Sequence, residues 1–264
     1  MRLDPAYLAA AIRAALAAGR VHRQYFRQNP GIRKKGPIDL VTEADLAVER
    51  DFRRLIAAEW PGHAVLGEEQ ASTPQPAGAR CRWIIDPLDG TTNFAHGLAL
   101  FCVSIAFEVD GQVELGVVYD PIGEELFTAE RGGGARLNGQ PLQVSPCETL
   151  VEGLLCTGFP YSVREHQGSQ VKVFGAFLGR AQAVRRLGSA ALDLCYVAAG
   201  RLEGFWEEHL QPWDMAAGGL VVSEAGGQVS RYDGQPIDLF RGQVVASNGR
   251  LHRQMIEVIG AHHE

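Results

Sequence analysis

The sequence predicts a mixed α+β and α/β protein, in which two N-terminal helices and a largely antiparallel sheet are followed by a C-terminal α/β lobe. Three patterns predict this fold class. Apolar residues recur at helical spacing within residues 5–59, short apolar runs flank a hairpin signal within residues 83–119, and single strand-like runs then alternate with helical patterns. The change of pattern predicts two lobes, residues 1–145 and residues 146–264.

Two helices are predicted at the start of the chain. The first covers residues 5–27, because Asp4-Pro5 supplies an N-cap and a first-turn proline ahead of an apolar stripe. The second covers residues 43–59, because Thr42 and Asp45 have the spacing of a capping box and apolar residues follow at nearly helical intervals. Both helices therefore precede the predicted sheet.

The rest of the first lobe is predicted to form strands. Residues 83–85 make a short apolar strand that ends at Asp86. Residues 103–109 and 112–119 are strand-like runs separated by Asp110-Gly111, a dipeptide that strongly signals a two-residue hairpin. Further strands are predicted over residues 125–129, 142–145 and 153–158, before the pattern changes at about residue 160.

The second lobe is predicted to alternate helices with single strands, which is the pattern of an α/β lobe. The helices are predicted over residues 162–179, 189–199, 214–225 and 250–260, and the strands over residues 182–186, 202–207, 228–232 and 243–247. Gly200 and Gly226-Gly227 stand where two of these helices end. No repeat and no low-complexity linker divides the chain, so we expect a lobe boundary rather than a flexible joint.

Composition and charge narrow the class of function. Of the 264 residues, 46% are hydrophobic and 21% are charged, which excludes a disordered chain. With 25 Lys and Arg against 31 Asp and Glu, the net charge of -6 disfavours a protein that mainly binds nucleic acid or anionic lipid. The five cysteines lack zinc-site spacing, and we recognise no signal peptide and no membrane-spanning run, so we expect a cytoplasmic protein.

The segment Asp86-Pro87-Leu88-Asp89-Gly90-Thr91-Thr92-Asn93-Phe94 carries the strongest chemical signal. Its two carboxylates are three residues apart at the end of an apolar strand, where like charges repel unless a cation lies between them. Hard oxygen ligands favour Mg²⁺ or Mn²⁺, and the Leu88 carbonyl can add a ligand without adding charge. Gly90 to Thr92 then offer backbone N–H groups to a phosphate at the start of a short helix. The alternative is a capped surface turn, which Asp-Pro and Asp-Gly also favour.

Three further segments place acidic residues where they could serve the same site. Glu68 follows a strand terminus, although a solvated loop would have the same pattern. Asp214 stands where a helix begins, and it could be an N-cap or a ligand. Asp39 is ambiguous for the same reason. Taken alone, none of these segments separates a structural role from a chemical one.

Taken together, these segments resemble the inositol monophosphatase family of the Mg²⁺-dependent, lithium-sensitive phosphatase superfamily. The resemblance covers nearly the whole chain, in order and in approximate spacing. Its elements are Asp39-Leu40-Val41-Thr42-Glu43-Ala44-Asp45, Gly67-Glu68-Glu69, the nine residues from Asp86, Gly188-Ser189-Ala190-Ala191, and Pro212-Trp213-Asp214 followed by Ala216-Ala217-Gly218. The resemblance implies a layered α-β-α-β-α sandwich of the sugar phosphatase type, a homodimer and sensitivity to lithium.

The resemblance also implies a centre of two or three Mg²⁺ ions, with Mn²⁺ as a substitute. Carried over residue by residue, Glu68, Asp86 and the Leu88 carbonyl would bind one ion. Asp86, Asp89 and Asp214 would bind a second, so that Asp86 bridges the pair. Such a centre suits phosphomonoester hydrolysis, because cations neutralise charge at both the attacking and the leaving oxygen without a covalent phosphoenzyme.

Catalysis and substrate binding are the remaining roles that the resemblance implies. Thr91 and Asp39 would orient and deprotonate the attacking water, Glu68 would be a further catalytic residue, and Glu207 would accept hydrogen bonds from sugar hydroxyls. Gln211 stands where many bacterial relatives carry Arg or Lys, which leaves the local charge and the substrate preference open. The implied substrate-binding residues are Gly90, Thr91, Thr92, Gly188, Ser189, Ala190, Glu207 and Asp214.

The sequence therefore predicts Mg²⁺-dependent hydrolysis of myo-inositol 1-phosphate to inositol and phosphate. Two alternatives stay open. One is a broader sugar phosphatase that accepts fructose 1,6-bisphosphate or NADP, and the other is a mainly regulatory binding partner of transcription or RNA machinery. The acidic charge, the lack of basic motifs interleaved with aromatic residues and the complete set of implied ligands favour catalysis.

Overall fold

Two large β-sheets, accompanied by a separate two-stranded sheet, alternate with three layers of helices in the computed structural model, which describes residues 3–28, 33–34, 40–70, 80–160, 163 and 168–263. The helices are α1 (Pro5–Tyr25), α2 (Glu43–Glu59), α3 (Thr91–Ala95), α4 (Gly168–Leu178), α5 (Ala190–Ala198), α6 (Pro212–Glu224) and α7 (His252–His262). The strands are β1 (Arg33–Lys34), β2 (Leu40–Val41), β3 (Ala64–Gly67), β4 (Cys81–Asp89), β5 (Cys102–Val109), β6 (Gln112–Asp120), β7 (Glu125–Glu130), β8 (Gly134–Leu137), β9 (Gln140–Pro141), β10 (Leu154–Thr157), β11 (Ala183–Arg185), β12 (Gly204–Glu208), β13 (Gln228–Ser230) and β14 (Gln243–Ser247).

The first sheet has the strand order β3-β4-β5-β6-β7-β8-β9 and is antiparallel except for its β3–β4 pair. β5 and β6 meet in the predicted hairpin. Asp110, with φ at 51°, and Gly111, with φ at 83°, both lie in the left-handed region that a type I′ turn requires. The prediction of a largely antiparallel sheet in the first half of the chain is confirmed.

The second sheet has the strand order β11-β10-β12-β14-β13, in which β10 pairs in parallel with both β11 and β12. Parallel neighbours need a crossover connection, which α4 provides between β10 and β11 and the segment α4-β11-α5 provides between β10 and β12. The strand predicted over residues 153–158 with the antiparallel sheet of the first half is β10, so it belongs to this second sheet instead. The predicted α/β character of the second half is therefore confirmed. The exact lobe limits, 1–145 and 146–264, stay a prediction.

The helices cover both faces of each sheet. α1 and α2 pack on one face of the first sheet, α5 and α6 lie between the two sheets, and α4 and α7 pack on the outer face of the second sheet. In the middle layer, Ile84 and Phe127 of the first sheet and Phe205 of the second belong to one buried cluster with Val221 of α6. The predicted α-β-α-β-α sandwich is confirmed.

The first two helices begin as their sequences predict. The Asp4 side chain accepts the Ala6 backbone N–H at 2.9 Å, with Pro5 in the first turn. Thr42 and Asp45 form the predicted capping box, in which the Asp45 carboxylate accepts the Thr42 backbone N–H at 2.8 Å. Local side-chain chemistry therefore sets both helix starts.

The strand predicted over residues 142–145 is wrong. The chain there passes from one sheet to the other, and the Val144 N–H donates to the carbonyl of Ala225, the residue that follows α6. The strands β8 and β9, which the sequence analysis does not predict, precede this passage. They meet at Asn138-Gly139, whose positive φ angles again fit a type I′ turn, so this dipeptide was a readable hairpin signal.

The other elements of the second half differ from their predictions mainly at their ends. α6 begins at Pro212 rather than residue 214, because Gln211 is its N-cap. The helix predicted over residues 162–179 is described only from Gly168, since residues 164–167 lie outside the described part of the chain. Within the described residues, no helix combines the length and the apolar character that crossing a membrane requires.

Candidate active site

Three carboxylates converge where the first sheet meets the middle helical layer. Asp86 and Asp89 lie in the last part of β4, and Asp214 lies in the first turn of α6. One oxygen of each carboxylate lies within 4.8 Å of the others. Asp86 is 2% exposed and Asp89 is 9% exposed, so their charges have little access to water. We call this cluster, together with Glu68, the acidic end of the cavity that it lines.

A β-bulge explains how two residues of one strand join the same cluster. Residues three apart on a regular strand point to opposite faces. Here Asp86 lies opposite Ser104 and Asp89 lies opposite Cys102, so three steps along β4 match two steps along β5. The prediction that the strand ends at Asp86 is therefore wrong, because β4 continues through the bulge to Asp89.

Hydrogen bonds hold the two aspartates of β4. The Asp86 carboxylate accepts the Leu88 backbone N–H at 2.9 Å. The Asp89 carboxylate accepts the Ser189 hydroxyl at 2.6 Å and the Ala191 backbone N–H at 2.8 Å, both from the start of α5. The first sheet and the middle helical layer are thereby joined at the cluster itself.

Asp214 is not the N-cap of α6 but the third residue of the helix, and its role as a metal ligand stays a prediction. Its carboxylate accepts the Gln211 backbone N–H at 2.7 Å, which is one half of a capping box at the start of α6. The same carboxylate belongs to the acidic cluster. Capping therefore does not exclude a ligand role, since one oxygen receives the N–H and the carboxylate has a second oxygen.

Burial and mutual repulsion raise the pKa of all three aspartates. Burial is the largest cause in each case, and the negative charge of Glu68 adds to all three shifts. The pKa of Asp89 rises to about 6, and the pKa values of Asp86 and Asp214 rise well above their usual range. Carboxylates in this position bind either protons or a cation. Their all-oxygen donor set fits a hard divalent cation such as Mg²⁺ or Mn²⁺.

Glu68 comes from the turn after β3, and α2 holds this turn. The buried carboxylate of Glu49 accepts the backbone N–H groups of Glu69 at 2.8 Å and Gln70 at 3.1 Å. Arg53, one helical turn further along α2, pairs with Glu49 at 2.7 Å and donates to the Gln70 carbonyl at 3.1 Å. A buried ion pair thus fixes the backbone that presents Glu68.

The Leu88 carbonyl and the Thr91 hydroxyl lie side by side in the central motif. Thr91 Oγ1 donates to the Leu88 carbonyl at 2.9 Å and lies 3.5 Å from Asp45 Oδ1. Burial raises the pKa of Asp45 to about 6. From α1, Nε2 of His22 donates to the Pro87 carbonyl at 2.8 Å, and burial lowers the pKa of His22 to about 4, so the ring is neutral near pH 7. The Pro87 and Leu88 carbonyls therefore each have a side-chain donor.

Gly90 turns the chain from β4 into α3. Its φ is 93°, and a Cβ at this position would lie 2.8 Å from the Leu100 carbonyl, so a side chain there meets both strain and a clash. Thr91 and Thr92 follow as the first residues of α3. The short helix predicted after the motif is therefore present.

The other end of the cavity is lined by residues of the second sheet and of the segment before α5. We call it the Glu207 end, because Glu207 of β12 lines it together with Arg186 and Gly188. Burial, followed by the negative charge of Asp193, raises the pKa of Glu207 to about 8, and the Arg186 guanidinium opposes this shift. Glu207 is therefore protonated over much of the pH range in which an ordinary glutamate is ionised.

A single cavity of about 430 Å³ brings nearly all of the predicted site residues together. The predicted residues that line it are Glu68, Asp86, Leu88, Asp89, Gly90, Thr91, Thr92, Gly188, Ser189, Ala190, Glu207 and Asp214. Gln211 also lines it, from the position before α6. Asp39 lies outside the described residues, so its catalytic role stays a prediction.

Among the buried acids, Glu49 and Asp193 were assigned no role from the sequence, and Asp45 was predicted only as part of a capping box. Asp45 and Glu49 were readable in principle, because they and Arg53 recur every four residues along α2. Asp193 was readable as the lone charged residue of the apolar helix α5. Its Oδ1 has no hydrogen-bond partner among the described residues, and burial raises its pKa well above the usual range.

Comparison with known proteins gives consistent matches along the whole chain. The model of the inositol monophosphatase family matches residues 4–264. An inositol-1-monophosphatase of Synechocystis is 44% identical over 256 residues, which cover 97% of this chain and 89% of the relative. A protein named Nus factor SuhB from Pseudomonas aeruginosa is 43% identical, with 96% of this chain and 95% of the relative covered. The solved structure of an inositol monophosphatase from Anabaena superimposes with a TM-score of 0.89 at 39% identity, covering 97% of this chain and 96% of that one.

Proposed function

Since the chain belongs to the inositol monophosphatase family and is a phosphatase, we propose that it hydrolyses myo-inositol 1-phosphate to inositol and phosphate with Mg²⁺ as its cofactor. The observation that carries this proposal is the cluster of Asp86, Asp89 and Asp214, whose oxygens lie within 4.8 Å of one another. The same cavity contains Glu207, a hydrogen-bonding group suited to a polyol. A relative that is 44% identical is named inositol-1-monophosphatase, which supports the choice of substrate.

The residues of the acidic end would hold two or three Mg²⁺ ions, for which Mn²⁺ can substitute. Glu68, Asp86 and the Leu88 carbonyl would hold one ion, and Asp86, Asp89 and Asp214 would hold a second. The bound cations would neutralise the charge that develops on the phosphate and on the leaving oxygen. Their fit rests on the raised pKa values of the aspartates, because repulsion that raises a pKa also favours a cation.

The residues around the central motif would position the nucleophile. The Thr91 hydroxyl would hold the attacking water and Asp39 would accept its proton, as the family resemblance implies, with Glu68 as a further catalytic residue. The position of Thr91, between the Leu88 carbonyl and Asp45, supports this role because its hydroxyl is held in place by its neighbours. The Gly90 and Thr92 backbone would bind phosphate oxygens.

The Glu207 end would bind the inositol ring. Glu207 can hydrogen-bond ring hydroxyls in either protonation state, since a carboxylate accepts and a carboxylic acid also donates. Gly188, Ser189 and Ala190 would form the wall beside the ring. Gln211 is neutral, so position 211 itself adds no charge for a second phosphate.

A substrate panel tests the proposal. Phosphate release would be measured from myo-inositol 1-phosphate, fructose 1,6-bisphosphate, NADP and 4-nitrophenyl phosphate, each with Mg²⁺ and after its removal by a chelator. We expect activity only with Mg²⁺ and the highest kcat/KM for inositol 1-phosphate. A higher kcat/KM for the bisphosphate or NADP would establish the broader sugar phosphatase instead. Full activity in the chelator would refute the metal requirement.

A second candidate function is a regulatory partner of transcription or RNA machinery, because a relative that is 43% identical is named Nus factor SuhB. The two functions can be separated in a strain that lacks the gene. Complementation by Asp214→Asn, at normal protein level, would support the partner role, because the variant keeps the surface and loses a proposed ligand. Failure of this variant where the wild type succeeds would favour catalysis.

We also propose a homodimer in the cytoplasm. The free thiols Cys81, Cys102, Cys147, Cys156 and Cys195 support a reducing compartment. Sedimentation velocity of the purified protein tests the dimer, and a monomer at micromolar concentration would refute it. Fractionation of cells that produce the protein tests the compartment.

A further inference from the structure

Gly158 lies directly against the carboxylate of Glu207. It follows the last residue of β10, and β10 pairs in parallel with β12, where Thr157 lies opposite Trp206. The next residues along the two strands are Gly158 and Glu207. A Cβ built on Gly158 would overlap both the Oε2 atom and the carboxylate carbon of Glu207. The carboxylate therefore occupies the space that any other residue at position 158 would fill.

The identity of the obstructing atoms determines what a side chain at position 158 would do. At Gly116, by contrast, a Cβ would lie 2.7 Å from the backbone carbonyl of Ala217. That clash could be removed only by moving α6. At Gly158 the obstruction is the end of a long side chain, which can rotate without moving a strand. A methyl group there would displace the Glu207 carboxylate and leave the sheet in place.

Few other contacts hold the Glu207 carboxylate. Within the described part of the chain, no backbone or side-chain group hydrogen-bonds it, and the nearby charges that act on it are those of Asp193, Arg186 and Asp89. Charge acts over distance and does not define the direction of a carboxylate. Contact with the surface of Gly158 is therefore a main determinant of where its oxygens point.

We infer that Gly158 is a specificity-determining residue, whose missing side chain lets Glu207 lie against the cavity wall and meet the hydroxyl groups of a polyol phosphate. This inference rests on the proposed function, since it assigns Gly158 to the same cavity, which both residues line. Gly158 acts through Glu207 and takes no part in the chemistry at the phosphate. It belongs to the Glu207 end alone.

The test is a double-mutant cycle of Gly158→Ala and Glu207→Ala, assayed with myo-inositol 1-phosphate and 4-nitrophenyl phosphate in the presence of Mg²⁺. We expect Gly158→Ala to lower the ratio of the two kcat/KM values roughly tenfold, because hydrogen bonds to the polyol are lost and the aryl phosphate makes none. In the Glu207→Ala background the obstruction is absent, so Gly158→Ala should change the ratio less than twofold. Gly175→Ala, on the exposed face of α4 with open space around it, is the matched glycine control.

Several outcomes would overturn the inference. They are an unchanged ratio in Gly158→Ala, an equal loss in both backgrounds, and a loss of folding by Gly158→Ala that persists in the double variant, which would mean that the backbone is the obstacle. A crystal structure of Gly158→Ala provides a readout that needs no substrate, and the Glu207 carboxylate should be displaced in it. If the wild type shows no preference for inositol 1-phosphate, the proposed function fails. The position of the Glu207 carboxylate in the Gly158→Ala crystal structure would still show whether Gly158 positions Glu207.

Discussion

At the acidic end of the cavity, Asp86, Asp89 and Asp214 each accept at least one N–H or O–H from the protein. At the other end, Glu207 accepts none from the described residues and rests against Gly158. The acidic end is therefore held in place before any ligand arrives, which is the arrangement that efficient electrostatic catalysis requires. At the Glu207 end, the position of the carboxylate depends on contact with Gly158 and on the charges of neighbouring residues. The comparison teaches that one end can be altered while the other keeps its geometry.

The largest expected effect is that of Asp214→Asn, which removes a charge from the acidic end at almost constant shape. Turnover should fall on the order of 10²-fold or more, by analogy with the loss of one preorganised electrostatic group. The fall should be the same for inositol 1-phosphate and for 4-nitrophenyl phosphate, because the acidic end serves both. Steady-state kinetics on the two substrates checks it. Retained turnover with a lower free energy of unfolding would reduce Asp214 to a helix cap.

Glu207→Gln is the matching change at the other end and should alter preference rather than chemistry. The kcat/KM for inositol 1-phosphate should fall relative to the aryl phosphate by about 1–3 kcal/mol, because only the polyol uses this side chain. The same pair of substrates measures it. An equal loss on both substrates would erase the distinction between the two ends.

Glu49→Gln tests whether the acidic end depends on its support from α2. The substitution removes the charge that pairs with Arg53 and one of the acceptors for the turn carrying Glu68. The Mg²⁺ concentration for half-maximal activity should rise about tenfold, as is typical when groups behind a metal ligand are changed. The rise of the unfolding temperature with Mg²⁺ concentration measures the Mg²⁺ affinity of the same variant without turnover. Glu59→Gln, at an exposed position of the same helix, should leave it unchanged.

The last expected effect is on stability, through the pKa of Glu207. This pKa is about 8 in the folded protein against 4.5 for an ordinary glutamate, so the folded state holds a proton that the unfolded state has lost. The free energy of unfolding should therefore decline as the pH rises from about 4.5 to about 8. Glu207→Gln lacks this decline, so its stability relative to the wild type should increase over the same range. Urea unfolding without divalent ions at pH 5 and pH 8 measures it, and parallel pH profiles would contradict it.

Local signals predicted much of the fold and of the candidate site. The hairpin at Asp110-Gly111 and the capping box at Thr42 depend on residues a few positions apart, which is why the sequence reveals them. The family resemblance found most of the cavity-lining residues. The bulge in β4 escaped prediction because it depends on which residue of β5 lies opposite Asp89.

The support of the turn after β3 escaped prediction for the same physical reason. The Glu49 carboxylate binds the backbone of Glu69, 20 residues further along the chain. The contact between Gly158 and Glu207 joins two strands that are separated by α4, β11 and α5. Such contacts form only after distant segments of the chain have packed together. The sequence around one residue therefore does not indicate which distant residue it will contact.

The position of α6 between the two sheets has a consequence for biosynthesis. The first sheet is complete at Pro141, whereas α6 begins at Pro212. At ribosomal speeds of about 5–20 residues per second, roughly 4–14 s pass before that helix follows. During this time the sheet face that carries Ile84, Val118 and Phe127 lacks the helix that buries it, and a nascent chain with such a face is prone to aggregate. Substitutions that weaken α6 should therefore lower the yield of soluble protein in growing cells before they lower the activity of the molecules that fold.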